Sequence, residues 1–258
     1  MESPAIIVIP CYNEAQRLRV LQFKAFSCTR PAVRFLFVDD GSTDGTWRVL
    51  EGLHREDPQR FAICHLADNR GKAEAVRQGV LRAFEAGPAY LGYWDADLAT
   101  PLDTLVAFCE LLDARPDLEM VFGARVRLLG RVIERSALRH YVGRVFATAA
   151  SLTLGLSIYD TQCGAKLFRA SPAMQALFQP PFATRWLVDV ELLARLIQAR
   201  RGTPLPPAEE VIYEFPLPEW HDVADSKVKA RDFAKGLFGL ARIYWRYLRP
   251  RAPMRGPQ

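Results

Sequence analysis

The chain has 258 residues, room for one large α/β domain or two small ones. Half of its residues are apolar and 24% are charged, which excludes a disordered, collagen-like or coiled-coil protein. A net charge of +5 admits an anionic partner, whether a phosphorylated substrate, an anionic membrane or a nucleic acid, without choosing among them.

The five cysteines, Cys11, Cys28, Cys64, Cys109 and Cys163, form no C-x-x-C pair, so neither a disulfide framework nor a zinc site is indicated and a reducing cytoplasm fits. The N-terminus lacks the charged start and long apolar core of a signal peptide. The longest uncharged stretch, residues 145–159, is shorter than the ~20 residues of a bilayer span. The expectation is a cytoplasmic protein, soluble or peripheral at the inner face of a membrane.

Residues 5–9 are a continuous β-rich apolar run ending at Pro10, as in a strand buried on both faces. Residues 33–38, 61–66 and 90–94 are similar, and helical patterns over 46–56 and 72–85 lie between. This alternation predicts βαβ units and a mainly parallel sheet flanked by helices. Thr100, Pro101 and Asp103 suit an N-cap, a first helical position and a first turn. A fifth strand is expected at 119–122. Further on, the pattern gives a helix over 137–154, strands at 166–168 and 211–215, and a helix over 187–199. Residues 1–225 read as one main domain and 226–258 as a C-terminal amphipathic helix and tail.

In open parallel sheets, ligands gather at the carboxyl ends of strands. Four such ends here are polar: Pro10-Cys11-Tyr12-Asn13-Glu14, Asp39-Asp40-Gly41-Ser42-Thr43-Asp44-Gly45-Thr46, Asn69-Arg70-Gly71-Lys72 and Asp95-Ala96-Asp97. The glycine spacing matches neither a dinucleotide fingerprint nor a phosphate-binding P-loop. Adjacent carboxylates at Asp39 and Asp40 repel unless donors receive them, and a base N–H edge or ribose hydroxyls would serve. Asp95-x-Asp97 projects two carboxylates to one side of an extended segment, a suitable pair for Mg²⁺ or Mn²⁺ bridging to a phosphate. Arg125, Arg127, Arg131, Arg135 and Arg139 could fork onto phosphates or form a solvated basic loop. No aromatic-interleaved basic patch or helix-turn-helix signature points to nucleic acid.

The first, second and fourth of these segments, in this order and spacing, resemble the family 2 glycosyltransferases of GT-A fold. Asp160-Thr161-Gln162-Cys163-Gly164-Ala165-Lys166-Leu167-Phe168, Arg185-Trp186-Leu187-Val188-Asp189-Val190-Glu191-Leu192-Leu193 and Ser226-Lys227 resemble the dolichyl-phosphate β-glucosyltransferase and polyprenyl-phosphate glycosyltransferase branch. The resemblance implies nucleoside contacts from Pro10, Tyr12, Glu14 and Asp40, with Asp39 beside them and Lys72 near. It places Asp95 on the ribose and sugar side and Asp97 on the metal. Asp189 and Glu191 would face sugar and acceptor, and Arg125 and Arg139 would bind phosphates. The implied reaction is inverting transfer of a hexose from UDP-glucose, or from GDP-mannose, to a polyprenyl phosphate. Two alternatives stay open. Transfer to a sugar hydroxyl would need Asp160 or Asp189 as a base, and a chain without turnover would only bind the nucleotide-sugar.

The C-terminal pattern repeats apolar residues at three- and four-residue steps: Phe233, Leu237, Phe238, Leu240, Ala241, Tyr244, Trp245 and Leu248, among cations. Such a helix either packs its stripe on the domain or lies on anionic lipid.

Overall fold

Runs of apolar β-branched and aromatic residues make the strands, and a computed structural model describes residues 4–28, 32–133, 137–221 and 230–250. The first half runs β1 (Ala5–Cys11), α1 (Val20–Ala25), β2 (Val33–Asp40), α2 (Thr46–Glu56), β3 (Phe61–Leu66), α3 (Lys72–Phe84), β4 (Tyr90–Trp94), α4 (Asp103–Ala114) and β5 (Met120–Ala124). The second half runs β6 (Val132–Ile133), α5 (Ala137–Leu154), β7 (Ala165–Arg169), α6 (Pro172–Phe178), α7 (Val188–Arg200), α8 (Ala208–Val211), β8 (Ile212–Pro216), β9 (Glu219–Trp220), α9 (Ala230–Ile243) and a π-helical turn, Tyr244–Leu248.

Seven strands form one sheet in the order β3-β2-β1-β4-β7-β5-β8. Every pairing is parallel except those of β7, which runs antiparallel to β4 and β5. The chain builds outward from β1 to β3, then returns to place β4 on the other side of β1. That reversal opens a crevice at the carboxyl ends of the strands. Because β7 is antiparallel, its first residue, Ala165, pairs with Trp94 at the end of β4. The 160–164 loop is thereby delivered to the same edge as Asp95 and Asp97.

Two apolar layers cover the sheet. One holds Phe23 of α1, Leu50 and Leu53 of α2, and Leu105, Phe108 and Leu112 of α4. The other holds Val76 and Val80 of α3, Phe146 and Ala150 of α5, and the apolar residues of α7 from Val188 to Leu196. Leu240, Ile243, Tyr247 and Leu248 belong to this second layer, so one stripe of the C-terminal helix packs on the domain. Residues 226–229, including Ser226 and Lys227, lie outside the described residues. No helix among the described residues is long and apolar enough to cross a membrane.

Two local expectations change. The fourth helix starts at Asp103 with no side-chain cap; Thr100 instead turns its carbonyl to Trp94 Nε1 at 2.7 Å. Helix α6 was not anticipated, although its signal is present: Ser171 Oγ accepts from Met174 N at 3.1 Å, with Pro172 in the first turn.

Candidate active site

The polar runs after β1 and β2 are laced together. Asn13, at φ 52°, accepts from Thr43 N through Oδ1 at 2.8 Å, and its own N–H donates to Ser42 Oγ at 2.9 Å. Glu14 N donates to Thr46 Oγ1 at 2.7 Å and Ala15 N to Asp44 Oδ2 at 3.2 Å. A short polar side chain tolerates the left-handed backbone here because it satisfies neighbouring main-chain groups. Pro10 lies half-buried and Tyr12 exposed on this edge, and Glu14 is buried 3.7 Å from Arg17 Nε.

Asp39 and Asp40 do not stand open to a nucleoside. The protein supplies the donors that adjacent carboxylates need. Asp39 is wholly buried, taking Ser42 N at 3.2 Å and facing His65 Nδ1 at 2.9 Å. Asp40 takes Arg70 N and Gly71 N at 2.8 Å each and Asn69 Nδ2 at 3.0 Å. Burial raises the Asp40 pKa, and the bonds from Arg70 and Gly71 oppose that rise. Asp40 thus shapes the 69–71 loop. Gly71, at φ +96°, continues that loop under the backbone of Arg185, 2.7 Å from where a Cβ would sit. Replacing Asp40 by Ala is expected to unfasten the loop, raising the donor KM about tenfold with kcat less affected and lowering stability by about 1–3 kcal/mol. Steady-state kinetics with a denaturant melt checks both.

Asp95 and Asp97 meet at the mouth of the crevice. Lys72 Nζ donates to Asp95 Oδ1 at 2.6 Å, and Asp95 N is fixed by Gly164 O at 2.9 Å. The Asp95 carboxylate lies directly on Gly164, where a Cβ would fall 1.8 Å from Oδ2. This close approach requires glycine at that point of the 160–164 loop. Asp97 accepts from Ala99 N at 3.1 Å and faces Arg17 at 3.4 Å. Burial and then the Asp95 charge push the Asp97 pKa up. Burial works against the Lys72 charge, but Asp95, Asp189 and Asp97 outweigh it and hold its pKa above the ordinary range.

The two carboxylates considered as bases are both bound by cations. Arg125 forks onto Asp160 through Nε at 2.6 Å and Nη2 at 2.8 Å, and Arg125 N adds a third bond. Burial opposes the Asp160 charge, yet Arg125 holds its carboxyl well below the usual carboxylate range. Asp189 is buried between Lys166 Nζ at 2.5 Å and Tyr93 Oη at 2.7 Å. Neither stands as a free carboxylate, each being held by a protein cation. Glu191 departs from its expected contact with sugar. It is fully buried, accepting from Ala183 N at 2.8 Å, Arg195 at 2.9 Å and Tyr247 Oη at 2.7 Å. Its task is to pin the 183–184 backbone and the C-terminal turn onto α7.

Arg139 falls in the first turn of α5, among residues whose side chains are outside those described, and Arg135 lies outside the described residues altogether. Several residues at this edge were not singled out from sequence. Trp220 lies 5.3 Å under the Arg125 guanidinium, and Glu214 accepts from Tyr159 N and Asp160 N at 2.7 and 2.8 Å. Arg144 donates to Tyr159 O at 2.8 Å. Lys166 is visible in sequence as one residue of the 160–168 segment and as a charge inside an apolar strand.

Comparison with known proteins gives the family. The profile of "Glycosyl transferase family 2" matches residues 6–176. The chain is 31% identical over 244 residues to the dolichyl-phosphate beta-glucosyltransferase of Saccharomyces cerevisiae, covering 86% of this chain and 68% of the yeast protein. It is 29% identical over 164 residues to the polyprenol monophosphomannose synthase of Mycolicibacterium smegmatis, covering 64% of this chain and 61% of that protein. Among solved structures, the glucosyl-3-phosphoglycerate synthase of M. tuberculosis superposes with a TM-score of 0.63 at 16% identity, over 93% of this chain and 79% of that one. The same synthase has been crystallised with Mn²⁺, UDP and glucosyl-3-phosphoglycerate (TM-score 0.60, 15% identity, 93% of this chain and 78% of that one). With the family profile spanning more than half of its length and the GT-A sheet carrying paired aspartates at its switch point, the chain belongs to glycosyl transferase family 2.

Proposed function

We propose that the protein transfers a hexose, with inversion, from a nucleoside diphosphate sugar to a polyprenyl phosphate, with UDP-glucose as the favoured donor. The curated relatives support a lipid phosphate acceptor and glucose, and the M. tuberculosis synthase supports UDP. The observation that carries the reading is the locking of Asp160 by Arg125 and of Asp189 by Lys166. A hydroxyl acceptor needs a base. A phosphate acceptor is already anionic and needs only placement and charge compensation. On this reading the enzyme works at the cytoplasmic face of a bilayer as a peripheral protein.

The residues present fit a hard divalent ion. Asp95 and Asp97 offer oxygen donors on one side; burial and then the Asp95 charge raise the Asp97 pKa, and a cation relieves that repulsion. Among the described residues no group of three or more His, Cys, Asp or Glu forms a closed cage, so a bound ion would take its remaining oxygens from the diphosphate and water. Asp97, with Asp95, would hold Mg²⁺ or Mn²⁺, which when bound neutralises charge growing on the departing diphosphate. Lys72 adds a protein cation on the same edge, and the fastened 13–15, 42–46 and 69–71 loops fix the donor.

A thermal-shift titration checks the donor. In the presence of Mn²⁺, UDP-glucose is expected to raise the melting temperature, since a ligand at a hundred times its Kd adds about 2.7 kcal/mol. Stabilisation by GDP-mannose and not by UDP-glucose would overturn the glucosyl assignment.

A further inference from the structure

The outer layer of the fold exposes apolar side chains where a soluble α/β domain would place polar ones. On α5, Tyr141, Val145, Thr148 and Leu152 recur at helical spacing and face outward, with Tyr141 70% and Leu152 79% exposed. The opposite face of α5, Phe146, Ala150 and Leu154, is core. On α9 and its π-helical turn, Leu240, Ile243 and Tyr247 are core, while Phe238 and Trp245 are 75% and 61% exposed. The two helices cross closely: a Cβ on Gly236 would lie 2.8 Å from the Phe146 ring. Both insert their inner faces into one core cluster, so their outer faces adjoin.

The charge on these helices points to the occupant. From 137 to 154 and from 230 to 248 the sequence carries six Lys or Arg and one acid, Asp232. That excess of five equals the net charge of the whole chain. Lys235, Arg242, Arg246 and Arg249 are exposed, and the Arg249 guanidinium lies 4.8 Å over the Trp245 ring. A second copy in a two-fold contact would set like charges against each other. Aromatic side chains with flanking cations instead suit the boundary of an anionic bilayer.

We infer that α5 and α9 together form the surface that seats this protein on anionic lipid. Phe238, Trp245, Val145 and Leu152 enter the headgroup boundary, and the α9 cations meet the lipid charge. The inference rests on the proposed lipid-phosphate acceptor for its purpose, not for its geometry. The surface is also joined to the site. Arg144 of α5 holds Tyr159 O at 2.8 Å and lies 3.7 Å over its ring, next to Asp160. A lipid phosphate emerging beside α5 is thus delivered to the edge that carries Asp95 and Asp97.

Truncating the chain after Arg231 would remove core residues, so surface substitutions make the cleaner test. Phe238→Ser with Trp245→Ser alters α9, and Val145→Ser with Leu152→Ser alters α5. Binding of the full chain is measured by sedimentation with phosphatidylcholine vesicles, with and without phosphatidylglycerol. Transfer to a water-soluble short-chain isoprenyl phosphate is measured alongside. The expected result is binding to the anionic vesicles that weakens with salt, and a loss of about tenfold or more in each double variant. Melting temperature and short-chain transfer should be unchanged. Equal sedimentation of wild type and both variants would overturn the inference. So would a wild-type dimer that both variants dissociate, since that marks the face as a contact between copies. Vesicle binding by a protein that cannot use the short-chain phosphate would sustain the surface and overturn the acceptor instead.

Discussion

Replacing Asp97 by Asn is expected to abolish transfer, by about a hundredfold to a thousandfold or more, and to leave the fold standing. The loss follows from removing the charge that would hold the divalent ion against the diphosphate, a stabilisation made chiefly in the transition state. The fold is spared because Asp97 sits on an edge loop. It faces Arg17 only at 3.4 Å, and its one close partner is the backbone of Ala99 at 3.1 Å. Amide oxygen can still take that bond, so the stability change should stay under about 1 kcal/mol. Turnover assayed beside a thermal melt separates the two effects. Full activity in the variant, or a wild-type rate unmoved by excess EDTA, would contradict the metal assignment.

The largest effect on stability is expected at Lys166. Its ammonium is fully buried beneath the site, 2.5 Å from Asp189, and it also reaches the Cys163 carbonyl. The rings of Phe122 and Tyr93 lie 4.9 and 5.5 Å away. Burying two charges is costly, and their attraction offsets that cost only while both are present. Lys166→Met leaves Asp189 buried with Tyr93 Oη as its remaining close donor. A loss of about 3–5 kcal/mol is expected. Joining it with Asp189→Leu should recover much of this, because no lone charge then remains. Urea midpoints at constant slope measure both variants. A single variant as stable as wild type would mean that the pair is not the buried unit described here.

The front of the molecule was legible in sequence for a physical reason. Strands β1, β2 and β4 are buried almost throughout, so each reads as an apolar run, while β3 lies at the sheet edge and is half-exposed; the polar residues following each strand are what a parallel sheet brings to one edge. The direction of β7 was not legible. Ala165 to Arg169 is an ordinary apolar strand in either direction, and only its pairing with β4 shows why Gly164 meets Asp95. The roles of the later acids were also hidden. Asp189 and Glu191 follow the residue types of a site, yet α7 is enclosed between the sheet and the outer helices, so both turn to protein cations and hydroxyls. Asp39 shows the same effect: its charge was evident, but its partner, His65, lies on the neighbouring strand. In the C-terminal helix one stripe is core, as the packing reading expects, and another faces out.

An acceptor that arrives already charged needs no protein base. The most direct measurement offers the enzyme UDP-[¹⁴C]glucose, Mn²⁺ and either a polyprenyl phosphate or the same polyprenol without its phosphate, and counts label in the organic phase. Label is expected with the phosphate alone, at a rate that shows no ionisation of a protein carboxylate between about pH 5 and 8. Transfer to the free alcohol at a comparable rate would contradict it, because Asp160 or Asp189 would then have to release its cation and act as the base.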